Sequence, residues 1–493
     1  MYLLAIDIGS SGPKAALYAP SGEQRSIATI EYQPHPASSV YELPATELWH
    51  ALVTVLHQLP DTERRQVVAI SISSHGESFV PVDLNGSPLG PFLLNLDLRA
   101  TEEAEELALR FGRDMLYRLT GLPAHAMYPL PKIAWLRRHQ PSLFVKAAQF
   151  LCVEDYLLRR IGVGAYISES LASRTFGFDL HSGQWSAELL EAAGISSEQL
   201  AAPVVSGTPL GHADAASAAE LGLPTDALWI AGGHDQACCS LGSGGLRPSV
   251  AVDGTGTFEC VTIAHRERHA LAGGFPTERH VLPDTFLTLA YTPAGIVPQW
   301  LRSLADADVQ PQSYAKLFAD LPAEPTSLLF YPYLVGTGTP HLDAEARGAI
   351  LGLTTATTQP ELYKAALEGI TFEMLANLES LDLTGLSFNR IHAVGGGARS
   401  DTWLQLKSDI FGRDIVAIHG EASCIGASIC AGLGAGIFTD WQQGADALVH
   451  ERRIFSPNAH RHARYREIFA QYKYFAGRIY DFSHTAQRRE VLL

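Results

Sequence analysis

Leu3-Leu-Ala-Ile-Asp7-Ile-Gly9-Ser10-Ser11-Gly12 stands at the start of the chain, and Ser249-Val-Ala-Val252-Asp253-Gly254-Thr255-Gly256-Thr257 near its middle. Each is an apolar run of strand length that ends in Asp and breaks into a tight turn of glycine and hydroxyl residues. The echo predicts two similar halves facing each other across a cleft, each offering one turn to a common ligand. Glycine lets the backbone approach closely and adopt positive φ, and successive amide N–H groups in such a turn form a nest for an anion. Phosphate is the expected guest. Ser10, Ser11, Thr255 and Thr257 add hydroxyl donors, and Lys14 adds a positive charge. One such turn alone could simply join two strands; the pair, each behind an Asp, carries the argument.

Working outward, apolar runs at Leu3 to Ile6, Val67 to Ile72, Trp229 to Ala231 and Ala393 to Val394 alternate with helical patterns at 44–58, 100–112, 131–139, 361–380 and 400–411. Strands interleaved with helices predict an α/β class with largely parallel sheet. At 493 residues the chain exceeds one ordinary core. Gly242-Ser-Gly-Gly-Leu-Arg-Pro248 interrupts the pattern, so the expected domains are 1–244 and 245–493.

Composition narrows the function. Hydrophobic residues make up 46% and charged residues 18%, which describes a folded chain with large cores. The net charge of -16 argues against a nucleic-acid or anionic-membrane partner. No apolar stretch is long enough to span a bilayer, and the N-terminal run reaches Asp7 without a basic segment, so it reads as a strand and not a signal peptide. The six cysteines lack C-x-x-C pairs or regular spacing, against a disulfide framework or zinc site. A cytoplasmic protein is expected.

Beyond the paired turns, three features carry chemistry. A carboxylate beside a phosphate is repelled unless a cation intervenes, so Asp7 is a candidate Mg²⁺ anchor acting through water, or else a residue that caps its turn. In Ala231-Gly-Gly-His-Asp235-Gln236 a buried strand runs into glycines and then polar side chains. Ligands of open α/β sheets bind beyond the carboxyl ends of strands. Asp235 is therefore the candidate general base for a hydroxyl attacking a γ-phosphoryl group, with helix capping as its plainer alternative. Val394-Gly395-Gly396-Gly397-Ala398 again follows a strand, and its missing side chains leave a slot for a flat ring such as adenine. No G-x-x-x-x-G-K-[ST], H-E-x-x-H or G-x-S-x-G motif is present, and Gly432-x-Gly434-x-Gly436 follows a helical stretch, not a strand.

Taken together these residues resemble the FGGY family of carbohydrate kinases. Met127-Tyr-Pro129-Leu-Pro-Lys132-Ile-Ala-Trp135-Leu136 is similar to one family signature; Gly348-Ala-Ile-Leu-Gly352-Leu353 with Glu361-Leu-Tyr-Lys-Ala365-Ala366-Leu367-Glu368 is similar to the other. The resemblance runs from Asp7 to about Phe438, with 457–477 like a closing helix. It implies two actin-like (RNase H-like) ATPase domains with a cleft between them, and transfer of phosphate from ATP, with Mg²⁺, to a small sugar or polyol. Asp7 then matches the Mg²⁺-linked Asp, Ser10, Ser11 and Lys14 the first phosphate loop, and Gly254, Thr255 and Gly256 the second. Gly395 to Ala398, with Gly396 and Gly397 at its centre, matches the adenosine segment, Gly295 a further nucleotide-side glycine, and Asp235 the base. On the substrate side the resemblance implies His75, Glu77, Asp97, Gln236 and Phe258. Ser73-Ser-His75-Gly76-Glu77 stands where xylulokinases carry Gln-Met-His-Gly and glycerol kinases Gln-Arg-Glu, while Gln236 and Phe258 are similar to glycerol kinases. Asn95 replaces a common Trp, and Pro13 departs from the usual first loop. A homodimer fits the family. A sugar-independent actin- or Hsp70-like ATPase, or a catalytically silent sugar sensor, would share the twin turns.

Overall fold

The computed structural model describes residues 1–32, 41–247, 249–266, 274–304 and 320–490. Pro248, which ends the expected boundary stretch, lies outside them. The first half builds a sheet from β1 (Tyr2–Gly9), β2 (Gly12–Tyr18), β3 (Gln24–Thr29), β4 (Val67–Ser74), β5 (Pro209–His212) and β6 (Leu228–His234), in the order β5-β6-β4-β1-β2-β3. The second half builds another from β7 (Val250–Thr255), β8 (Phe258–His265), β9 (Thr277–Arg279), β10 (Phe286–Pro293), β11 (Arg390–Gly395), β12 (Asp414–Ile418) and β13 (Glu451–Phe455), in the order β9-β10-β8-β7-β11-β12-β13.

The echo in the sequence is an echo in topology. In the first sheet β1 pairs antiparallel with β2 and parallel with β4, and β4 pairs parallel with β6. In the second, β7 pairs antiparallel with β8 and parallel with β11, and β11 pairs parallel with β12. Both central strands are buried on both faces, which is why Leu3 to Ile6 and Val250 to Val252 read as unbroken apolar runs instead of alternating ones. The helical patterns become Ala45–His57, Thr101–Phe111 and Pro129–His139 in the first half. The second half carries α2 (Gln359–Asp382), α3 (Asp401–Phe411), α4 (Ala422–Gly434) and a closing α5 (Ala459–Glu490). No helix among the described residues is long and apolar enough to cross a membrane.

The two halves meet through α4 and α1 (Asp235–Gly242), the helix that follows β6. A Cβ on Gly242 would lie 1.9 Å from the Ala422 carbonyl oxygen, and one on Gly426 2.0 Å from that of Cys238, so glycine is required on both helices for this close crossing. Around it a shared core mixes Leu3, Ala5 and Ile230 with Cys424, Ile429 and Leu448.

Candidate active site

The first sheet brings three strand ends to one place. Register sets Asp7 beside Ser73, and Ser73 beside Gly233; the next rung aligns Ile8, Ser74 and His234. Asp7, the His75–Glu77 turn and Asp235 therefore leave the sheet at one edge, beyond the carboxyl ends of parallel strands. A bulge between Ile230 and Gly233 re-aims β6 as it arrives. Gly232 sits in it, where a Cβ would lie 1.7 Å from the Ile72 carbonyl oxygen, and its N–H donates to the buried Glu154 carboxylate at 2.8 Å.

Asp7 accepts a hydrogen bond from Ser73 Oγ at 2.8 Å and one from Ser423 of the other half. Burial lifts its pKa, against the pull of Lys14. Lys14 stands opposite Asp7 on the β1–β2 hairpin, but its ammonium pairs with Glu421 at 2.7 Å. Glu421 also accepts from Arg399 at 3.1 Å, so one carboxylate at the start of α4 ties the β1–β2 hairpin to the turn that follows β11. With Lys14 held by Glu421, Asp7 would suit a Mg²⁺ ion, which binds through one or two carboxylates plus substrate and keeps several waters.

Asp235 opens α1, and His234 stands in the capping position with no side-chain cap bond. Capping is thus not its role. Its side chain keeps 26% exposure, and burial pushes its pKa up to about 6, with Asp7, Glu77 and Glu278 adding to the rise and His234 opposing it. The glycine turn after β7 is adjacent: a Cβ on Gly254 would lie 4.0 Å from Cys239 Sγ, one turn along α1. The turns and Asp235 therefore converge.

The substrate-side residues form a buried charged lattice. Arg174 donates through Nε to Glu77 at 2.6 Å, lies 3.4 Å from Glu278, and stacks over Tyr128 at 5.7 Å. Glu77 holds φ at 61°, a backbone state that non-glycine residues rarely adopt outside sites that over-determine it. Burial is the largest influence and opposes its ionisation, but Arg174 together with His234 and His75 outweighs it and holds the pKa low. His75 donates from Nδ1 to the Ile8 carbonyl at 3.0 Å, and burial lowers its pKa, so the ring is neutral. His75 Nε2, Arg174 Nη1 and Tyr128 Oη are buried without a protein partner. Orphaned polar atoms cost about 1–3 kcal/mol each unless a ligand satisfies them, and a hydroxyl-rich molecule does so. Asp97 is gripped by Arg99 Nε at 2.9 and 2.8 Å. Gln236 is half-buried beside Asp235. Phe258 stacks edge-on to Tyr291 at 6.3 Å.

On the other side a cavity of about 580 Å³ is lined by Thr255, Gly256, Gly295, Gly396, Gly397 and Trp403, with Arg399 at its rim. The glycines are there because the turns touch. A Cβ on Gly295 would lie 2.5 Å from the Gly256 carbonyl oxygen, and one on Gly397 2.6 Å from Thr255 Cβ. Ala398 is buried beneath them. Ser10 and Ser11 sit exposed at the tip of the first hairpin. Thr255 differs from expectation. Its hydroxyl donates to Asp253 at 3.0 Å and accepts from Lys407 at 2.7 Å, so that group already has its partners.

Family models match both halves: the N-terminal domain of the FGGY family of carbohydrate kinases over residues 2–242, and the C-terminal domain over residues 250–435. The chain belongs to this family. It is 27% identical to the xylulose kinase of Staphylococcus xylosus over 478 residues, covering 96% of this chain and 99% of that one. It is 28% identical to the gluconokinase of Bacillus subtilis (strain 168) over 448 residues, covering 87% and 86%. A crystal structure of a xylulose kinase from Brucella ovis superimposes with a TM-score of 0.88 at 25% identity, over 98% of this chain and all of that one. This FGGY protein is a carbohydrate kinase with the two-domain actin-like ATPase fold.

Several residues of this FGGY site had no role in the sequence reading. Lys132, inside the first signature, is buried and donates to the Glu77 and Leu94 carbonyls; burial pushes its pKa down to about 7. Lys407 is buried between Asp253 at 2.6 Å and Glu259 at 3.2 Å. A lysine on the apolar face of each helix was the available signal. His234 was quoted only as a neighbour of Asp235, and Arg174, Glu278 and Glu421 stand in stretches with no motif.

Proposed function

We propose that this kinase transfers the γ-phosphoryl group of ATP to a hydroxyl of a small ketose, such as xylulose, or of a polyol, with Asp235 as the general base. Residues 1–244 hold the acceptor and the first phosphate loop; residues 245–493 hold the nucleotide. The observation that carries the reading is that Asp7 and Asp235 leave one edge of the first sheet, that Gly254 of the second glycine turn lies against Cys239 one turn along α1, and that the second half holds a cavity at Gly256, Gly295, Gly396 and Gly397.

Asp235 accepts the hydroxyl proton as the acceptor oxygen forms its bond to phosphorus and the bond to the ADP oxygen breaks. Its pKa near 6 leaves it ionised at neutral pH and still basic enough to help. Ser10, Ser11, Lys14, Gly254, Thr255 and Gly256 receive the phosphates, and Gly295, Gly396, Gly397 and Ala398 admit the adenosine. Asp7 would hold Mg²⁺ through water, and that ion would supply compensation for phosphate charge. His75, Glu77, Asp97, Gln236 and Phe258 surround the acceptor, with Glu77 and the orphaned His75 Nε2 facing hydroxyls. Sequestration of this site limits water, the competing nucleophile.

ADP release measured with D-xylulose, gluconate, glycerol and no acceptor tests the reading. Turnover that needs xylulose or a polyol supports it. Release independent of acceptor would make the chain an ATPase, and none with any acceptor a sensor.

A further inference from the structure

Among the groups that the transfer step does not use directly, His234 is distinctive because a carboxylate meets each of its ring nitrogens. Nδ1 lies 2.8 Å from Glu278 Oε1, and Nε2 lies 3.2 Å from Asp235 Oδ1. A neutral imidazole has one N–H and one lone pair. In that form one ring nitrogen would set a lone pair toward a carboxylate; only the imidazolium both hydrogen-bonds Glu278 through a proton and presents a positive charge to Asp235 at ion-pair distance. The residue is 4% exposed, so bulk water offers the ring no alternative partner. The charged groups around it are Glu278, Asp235 and Arg174, with Glu77 and His75 farther out. Around Asp235 stand His234, Asp7, Glu77 and Glu278, with the Cys239 and Cys260 thiols nearby.

We propose that His234 is a positioning residue for the phosphoryl-transfer base: held as an imidazolium by Glu278, it keeps the Asp235 carboxylate charged and fixes one of its oxygens. This rests on Asp235 being the base. The need is electrostatic. Burial and three neighbouring carboxylates all favour a protonated Asp235, which cannot accept a proton from the acceptor. One adjacent cation offsets them. The anchor for that cation comes from the second half of the chain, where Glu278 on β9 reaches into the first half, fully buried, with Arg279 beside it paired to Glu169 at 2.9 Å. Burial opposes the charge on His234, but Glu278 and Asp235 outweigh burial and lift its pKa to about 9.

The test is ¹⁵N-histidine NMR of the full chain, with the His234 signals identified by their loss in His234→Gln and their displacement in Glu278→Gln. At pH 7.5, where an ordinary histidine of pKa about 6.5 is mostly neutral, both His234 nitrogens should remain protonated. An unprotonated Nε2 at that pH overturns the proposal. The second readout is the acid limb of kcat, taken with the acceptor that turns over fastest. In His234→Gln, and less strongly in Glu278→Gln, it should move up by about 1–3 pH units. A variant that binds ATP normally but keeps the wild-type limb also overturns it. Asp235→Asn separates the two ideas: substantial turnover there removes the base assignment, whereas the NMR result speaks for His234 alone.

Discussion

Lys407→Met removes a cation from a fully enclosed site while nearly conserving volume. In the native chain its ammonium lies 2.6 Å from Asp253, 2.7 Å from Thr255 Oγ1 and 3.2 Å from Glu259, with no more than 1% exposure on any of the three charged side chains. Breaking a buried ion pair by deleting one partner costs about 3–5 kcal/mol, because the other charge stays behind unpaired. Burial pushes the Glu259 pKa up to about 8, against the pull of Lys407. Glu259 is therefore largely protonated at neutral pH, and Asp253 is the charge left exposed to the loss. The sign follows from linkage. A carboxyl whose folded pKa is raised above its unfolded 4.5 binds extra protons when folded, so its contribution falls as pH rises from 4.5 toward 8. Without the ammonium Asp253 is left without its partner, and Glu259, freed from the pull of Lys407, stays protonated to higher pH. The penalty should therefore be present at neutral pH and grow as pH rises through 8. For a domain of 150–250 residues the full penalty corresponds to a loss of roughly 6–20 °C in melting temperature. Melts of wild type and variant at pH 6.5, 8 and 9 check this. A deficit below about 1 kcal/mol at pH 8 would refute a buried ion pair as the support of the turn at Gly254 to Gly256.

Other outcomes follow from the same geometry. Asp235→Asn should lower kcat by about 10²–10⁴-fold with ATP affinity nearly unchanged, and an equal loss of both in isothermal titration and turnover would contradict its place as base. Gly295→Ala drives a methyl to 2.5 Å from the Gly256 backbone, so the KM for ATP should rise by about tenfold or more while the KM for the acceptor holds; a selective acceptor defect would be wrong for this position. Glu421→Gln frees Lys14 from a half-exposed pair worth about 0.2–1 kcal/mol, so ATP should bind up to about fivefold more tightly, whereas weaker binding would mean that Glu421 orders the lysine for phosphate.

The architecture was legible because buried parallel strands leave an unmistakable trace: Leu3 to Ile6 and Val250 to Val252 could not serve a half-wet sheet, and the Asp-Gly turns behind them marked the repeat. The glycines around the second-half cavity were visible in the sequence as well. Gly295 and Gly397 are glycines for want of space, which is a property a sequence displays. What stayed hidden was the partnership of charges. Glu77, Arg174, Glu278 and His234 come from four separate stretches, and nothing in a linear string tells that Glu278 of the second half will face His234 of the first. The long second signature shows the same limit from another side. Its Thr358 and Glu361 form a capping box at the start of α2, and Glu368 accepts from the Thr326 backbone N–H and from Tyr465 Oη. Its fixed spacings thus record how a helix is moored to neighbouring chain, not any contact with a ligand.

The glycine crossing of α1 and α4 has a mechanical corollary. Each helix carries an acid at its cleft end, Asp235 on one and Glu421 just before the other, and neither backbone can slide without pushing its partner. The pair resembles scissor blades on a single rivet: a change in the tilt of α4 would be felt in the aim of Asp235.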